Sequence, residues 1–309
     1  MTRAQAVVNA TGPFTDTIRF LDNPEATPLL KVSSGAHLVL PPPKQSMKVG
    51  VLIPKTKDKR VLFVLPWLNH ILVGTTDVAA RLSDNPKPTQ EEIAFIRQEF
   101  ETYFENSLQE NDIYATWAGL RPLVNEPSEK GTASLSRDHA FDESPSGLLS
   151  IFGGKWTTYR LMAADTVDRI ITRFPRSFNP CTTHKTSLRG AENSPKTIRE
   201  ALRNRGLDET TTEHLYRTFG NLALEVLDQG SVEKIHPKHP ILISELLYGI
   251  RKEFISQSSD FIFRRTRLGF LDKKAAVESY PIVSSLIKNE LGWTQEDLEK
   301  DRLDFFSQI

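Results

Sequence analysis

The spacing of apolar residues changes once along the chain, and that change limits the folds open to it. Up to about residue 172 they come in short runs rich in Val, Ile and Leu, at 37–40, 51–53, 61–65 and 71–75. Segments such as PPPKQ and TKDK separate them. Such runs read as strands and the segments between them as turns. From about residue 175, after RFPRSFNPCTT, the spacing becomes helical, with amphipathic candidates at 195–205, 211–219, 222–227, 241–255 and 274–291. The pattern predicts an α/β domain over 1–172 with a mixed or antiparallel sheet, then an α-helical domain over 173–309. The final TQEDLEKDRLDFFSQI reads either as a last helix or as the start of a linker.

Composition removes several function classes. The 39 Lys and Arg balance 39 Asp and Glu, which argues against a polyanion-coating protein and against a nucleic-acid partner. The single Cys181 cannot form an internal disulfide, and the histidines lack metal-ligand spacing, so no metal is expected. Nothing approaches the roughly 20 apolar residues that cross a bilayer, while surface contact with a membrane stays open.

Several segments in the first half carry chemistry. An apolar stretch at 6–8 runs into NATG and Pro13, as a strand leaving a sheet would. Thr89 with Glu92 suggests a capping box, and Ile93, Ile96, Phe100 and Phe104 then form a helical stripe suited to cover one sheet face. IYATWAGLRPLV reads as a strand followed by a turn, and GLLSIFGG as a strand entering a helix through Gly153 and Gly154. In SIFGGKWTTYR the glycines permit close approach, the helix start offers unpaired amides, and Lys155 adds a cation. That combination suits an anion or an electron-rich ring; the plainer alternative is a tight turn with Lys155 in water.

Arg121 in GLRPLV and Arg137 in SRDH can converge on a phosphate or carboxylate, or make ordinary surface ion pairs. His37, after SSGA, can relay a proton or be a hydrogen-bonded histidine at a strand start. Thr75, Thr76 and Asp77 either position a polar ligand or cap a turn. His236 and His239 read as a polar loop beside two prolines, and Arg264, Arg265 and Arg267 as helix-surface salt bridges or packing against the first domain.

VVNATGPFTD, SSGAHLVLP, VLFVLPW, VGTTD, WAGLRPLV, SRDH, GGKWTTYR and RRTRLGFLD follow one another in an order that resembles the FAD-dependent glycerol-3-phosphate dehydrogenases, especially the mitochondrial form, over nearly the whole chain. The resemblance implies FAD as cofactor, sn-glycerol 3-phosphate as substrate, quinone as electron acceptor, and peripheral contact with the mitochondrial inner membrane or, alternatively, a bacterial cytoplasmic membrane. A homo-oligomer is compatible with it. The resemblance places Ala10, Thr11, Gly12 and Pro13 with Gly153, Gly154, Lys155, Trp156, Thr157 and Thr158 against the cofactor, and His37, Arg121, Arg137 and Lys155 on the substrate side. Family members open with a GxGxxG turn, which these residues do not contain, so the resemblance also implies a fragment lacking the N-terminal dinucleotide-binding segment. Two other readings are a noncatalytic assembly or regulatory fragment and a related flavin-dependent amine or hydroxy-acid oxidoreductase.

Overall fold

Alternation of side chains along one long strand organises the first half of the molecule. The computed structural model describes residues 3–41, 47–57, 60–104, 108–125, 138–192 and 194–309. Strand β1 (Val7–Asn9) leads into helix α1 (Thr15–Asp22), and β2 (Leu30–Leu40) follows. Next come β3 (Val51–Ile53), β4 (Leu62–Trp67), β5 (His70–Gly74), β6 (Val78–Ala79), α2 (Gln90–Phe104) and β7 (Ala115–Val124). The six-stranded sheet runs β3-β4-β5-β2-β6, and β7 pairs along nearly the whole length of β2, from Leu30 opposite Val124 to Val39 opposite Ala115.

Even-numbered residues of β2 (Ala36, Leu38 and Leu40) are buried with Val64 and Val73 against Ile96 and Phe100 of α2. The odd-numbered residues Ser33, Gly35 and His37 therefore share the other face with Trp117, Gly119 and Arg121 of β7. The α2 start is capped as expected: Thr89 N–H donates to Glu92 Oε2 at 3.0 Å, and Glu92 N–H donates to Thr89 Oγ1 at 3.2 Å.

Two sequence expectations change here. Strand β2 begins seven residues before His37, because Ser33, Ser34 and Gly35 fit a sheet crowded from the opposite face although they carry no apolar signal. The strand through WAGLRP does not turn at Pro122, which pairs opposite Val32; β7 is an edge strand, where a residue without an N–H is tolerated.

A second sheet has the order β1-β9-β8, with β8 (His139–Glu143) antiparallel and β1 parallel to β9 (Leu148–Gly153). Both parallel strands leave the sheet at the same edge, each through one 3-10 turn, Gly12–Phe14 into α1 and Trp156–Thr158 into α3 (Tyr159–Ile171).

The remainder is helical: α4 (Pro195–Asn204), α5 (Glu209–Phe219), α6 (Ala223–Leu227), α7 (Ile243–Lys252), α8 (Leu268–Leu271), α9 (Lys273–Leu291) and α10 (Gln295–Gln308). The last segment is thus a helix and not a linker, with Thr294 and Asp297 forming its capping box. This region docks on the odd-residue face of the large sheet. Phe270 lies 5.8 Å from Trp117, His239 stacks on His70 at 6.0 Å, and Lys273 N–H donates to the Tyr114 carbonyl at 3.1 Å. His236 and His239 do lie in a loop, as read from the sequence, but they are buried at this contact. Arg264 and Arg265 pair with Asp260 and Glu253, as helix-surface bridges.

Candidate active site

Two neighbouring clusters hold the residues singled out by sequence. The first lies on the odd-residue face. Arg121 leaves β7 and reaches over Gly35, where a Cβ would overlap both its guanidinium and Thr75 Oγ1. Its Nη1 donates to the Ser34 carbonyl at 3.2 Å and lies 3.4 Å from Asp77 Oδ1. Its Nη2 donates to Thr75 Oγ1 at 3.0 Å and to the Thr76 carbonyl at 3.1 Å. Thr75, Thr76 and Asp77 thus anchor an arginine. Behind them, Thr76 Oγ1 donates to the buried Glu92 carboxylate and accepts from Ala36 N–H at 2.8 Å, so the helix on the far face braces the same segment.

His37, two residues beyond Gly35, lies flat on Trp117, with ring centroids 4.1 Å apart and an 18° tilt. Its Nδ1 is buried without a hydrogen-bond partner among the described residues. Burial, followed by the positive charge of Arg121, pushes the imidazole down to about 4; the nearby Gly35 backbone opposes the shift without completing a bond of good geometry. The ring is neutral at pH 7. Ser33 Oγ and Trp117 Nε1 are also buried on this face without partners among the described residues. Polar atoms left this way are uncommon in a finished core and mark the face as one arranged for more than packing.

The second cluster lies at the shared exit of β1 and β9. Asn9 Nδ2 ties the two strands by donating to Ser150 Oγ at 3.1 Å and to the Thr15 carbonyl at 3.0 Å. Residues 10–13 and 153–158 follow from the same end of this parallel pair. Gly153 and Gly154 both have positive φ, 71° and 77°, and Gly153 abuts Val124, three residues beyond Arg121 on the same strand. Lys155, Trp156 and Thr157 are exposed; Trp156 keeps 90% of its surface. Open space above Gly12 and a bare indole beside a double-glycine turn suit a flat, elongated cofactor at the carboxyl ends of parallel strands.

The structure therefore brings His37 and Arg121 together, while Ala10, Thr11, Gly12, Pro13, Gly153, Gly154, Lys155, Trp156, Thr157 and Thr158 lie in the two segments that follow the same end of the paired strands β1 and β9. Strand β7 connects the two. No hydrogen bond or ion pair joins Lys155 to His37 or Arg121 among the described residues. Arg137 lies outside the described residues. Trp117 and Gly35 were missed by sequence reasoning, although the two-residue alternation in WAGLR and SSGAH already sets Trp117 with Arg121 and Gly35 with His37. Among the described residues, no group of three His, Cys, Asp or Glu side chains is arranged to hold a metal, and no helix is long and apolar enough to cross a membrane.

Comparison with known proteins agrees with this layout. The family described as FAD dependent oxidoreductase matches residues 2–160, and the C-terminal domain of alpha-glycerophosphate oxidase matches 181–298. Mitochondrial glycerol-3-phosphate dehydrogenase of Mus musculus is 38% identical over 313 residues, covering 96% of this chain and 43% of that protein. The probable mitochondrial glycerol-3-phosphate dehydrogenase of Caenorhabditis elegans is 40% identical over 319 residues, covering 97% and 44%. The chain spans less than half the length of these curated relatives. An X-ray structure of glycerol-3-phosphate dehydrogenase from Bacillus halodurans complexed with FAD superposes with a TM-score of 0.84 at 28% identity, over 99% of this chain and 62% of that one.

The family match corrects one expectation. Because it starts at residue 2 and runs to 160, the FAD-binding domain is represented in this chain and the inference of a lacking dinucleotide-binding segment fails. That inference rested on one glycine motif, and the absence of a single phosphate turn does not remove the sheet and strand exits that form the rest of such a domain. The chain belongs to the FAD dependent oxidoreductase family.

Proposed function

We propose that this chain supplies the substrate-facing sheet and part of the flavin surface of a glycerol-3-phosphate dehydrogenase that oxidises sn-glycerol 3-phosphate to dihydroxyacetone phosphate and passes the electrons to quinone. The observation that carries the reading is a neutral imidazole, His37, held beside a fixed guanidinium, Arg121, on a face cleared by Gly35. FAD, when bound along residues 10–13 and 153–158, supplies the two-electron acceptor.

Loss of the C2 hydroxyl proton needs an unprotonated base, and the neutral imidazole of His37 is the group on this face suited to take it. The four Nη hydrogens of Arg121 already face protein acceptors, so its contribution is a fixed positive field that favours the substrate phosphate. A phosphate dianion near Arg121 offsets its repulsion of imidazolium, so substrate binding raises the basicity of His37 toward working pH. Arg137 joins in holding the phosphate, and Lys155 supplies positive potential at the cofactor edge. The reading puts the boundary between the two domains near residues 172 and 173 and the protein peripherally on the inner mitochondrial membrane; the names of the relatives support the organelle alone.

The test is to add FAD to the purified chain, measure retained flavin by absorbance, and follow anaerobic bleaching with glycerol 3-phosphate, glycerol and glycine in parallel. The reading expects bleaching by the phosphate ester and far less by glycerol. Bleaching by glycine instead would favour the amine-oxidising alternative, and failure to retain flavin would favour an assembly role.

A further inference from the structure

Histidines that serve as bases are usually oriented by a hydrogen bond at the nitrogen not doing the chemistry. His37 lacks a well-formed bond of that kind among the described residues: its Nδ1 is buried with only the Gly35 backbone nearby, and its ring lies against the flat face of Trp117. Packing therefore sets the ring plane. Trp117 is itself confined, by Trp67 at 6.1 Å from within the sheet and by Phe270 at 5.8 Å from the helical region. Phe270 continues edge-on to Phe263 at 5.3 Å, and Phe263 lies 5.8 Å from the fully buried Phe305 of α10. An unbroken row of rings thus joins the core of the helical region to the candidate base.

The segment bearing Phe270 is held tightly against the sheet. A Cβ on Gly269 would overlap the ring of Phe263, so the chain approaches that ring at its closest just before Phe270. Two residues further on, the buried Asp272 accepts from Ala275 N–H at 2.9 Å and lies 3.2 Å from His239 Nε2, while His239 stacks on His70 of β5. Lys273 N–H completes the docking on the Tyr114 carbonyl, three residues before Trp117.

We infer that the helical region acts as a positioning element for His37, with Phe270 the residue through which it acts and Trp117 the relay. The inference rests on His37 being the base of the proposed reaction for its catalytic meaning, but the physical coupling can be measured without flavin or substrate. Phe270 and Trp117 are positioning residues: they confine the ring and keep water from its buried nitrogen.

The experiment follows the His37 imidazole C–H signals of the full chain by NMR as pH is varied, in wild type, Phe270→Leu, Phe270→Ala and Trp117→Phe. Leu215→Ala, a core truncation in the separate α4–α7 cluster, controls for general loss of stability. With Phe270 shortened, water reaches the ring and His37 gains at least about threefold in proton affinity, which moves its titration midpoint up by roughly 0.5 on the pH scale. Its reaction with diethyl pyrocarbonate quickens in parallel. Trp117→Phe moves the titration in the same direction, and Leu215→Ala leaves it in place. If Phe270→Ala fails to fold, Phe270→Leu gives the same readout with a smaller loss of volume. An unchanged His37 titration in folded Phe270→Leu, or an equal change in Leu215→Ala, overturns the inference. Failure of the proposed reaction would show itself separately, as absent flavin bleaching in a chain whose His37 titration still responds to Phe270.

Discussion

The sheet face around Arg121 and the strand exit around Gly153 are adjacent, yet they are built in opposite ways. On the face the principal groups are held by their neighbours: Arg121 by four acceptors among the described residues, His37 by a stacked indole, and Thr76 by a carboxylate reaching through from α2. At the exit, Lys155, Trp156 and Thr157 stand in solvent with few protein partners. A preorganised face spares a reaction the cost of arranging charges at the moment of chemistry, whereas an open edge can accept a large ligand that then completes it. The proposed function follows this difference, with chemistry on the face and cofactor retention at the edge.

Substituting glycines on the two sides should break this comparison if it is wrong. Gly35→Ala puts a methyl group into the guanidinium of Arg121, and overpacking there should cost on the order of 2–3 kcal/mol by urea denaturation. Gly12→Ala at the exit meets open space and suffers only from its backbone angle, φ 57°, so a loss of about 1 kcal/mol is expected. Equal costs would mean that the face is no more crowded than the edge.

Acid should act on the face side. His37 and His239 are both held neutral, with proton affinities below that of a free imidazole, chiefly by burial. The unfolded chain therefore binds these protons first. Stability is full above about pH 6.5 and falls as pH drops from there toward 4, by roughly 3 kcal/mol from His37 alone. Urea midpoints at a series of pH values check this, and His37→Gln should flatten the slope.

The exposed indole gives a smaller effect on folding. Trp156→Ala is expected to change stability by no more than about 0.5 kcal/mol while lowering FAD retention several-fold, measured by flavin fluorescence. Smallest of all is Glu213→Gln on α5. The carboxylate is held at about 2 by Arg199 and Arg217, but the cluster is largely solvated, so a loss of under about 1 kcal/mol is expected and should shrink with added salt.

Much of this arrangement was legible in the residues. The switch of apolar period near residue 175 separated sheet from helices, and Thr89 with Glu92 marked the start of α2 correctly. Strand limits were less legible where polar residues lie within a sheet. Ser33 to Gly35 carry no apolar signal, and Arg121-Pro122 resembles a turn, because both segments are shaped by the arginine they accommodate. The buried histidines at 236 and 239 were invisible for another reason: their partners, Asp272, Glu278 and His70, are at least 33 residues away in sequence. Strands β1 and β9 become neighbours only through a pairing across 141 residues.

The division of labour between face and edge is tested most directly by single-turnover flavin reduction with glycerol 3-phosphate, comparing His37→Gln with Trp156→Ala at saturating FAD. Removing the base should slow reduction by about 10²- to 10⁴-fold while flavin stays bound, and removing the indole should weaken binding while leaving the reduction rate near wild type. Reduction of His37→Gln at the wild-type rate would contradict the assignment of chemistry to the sheet face.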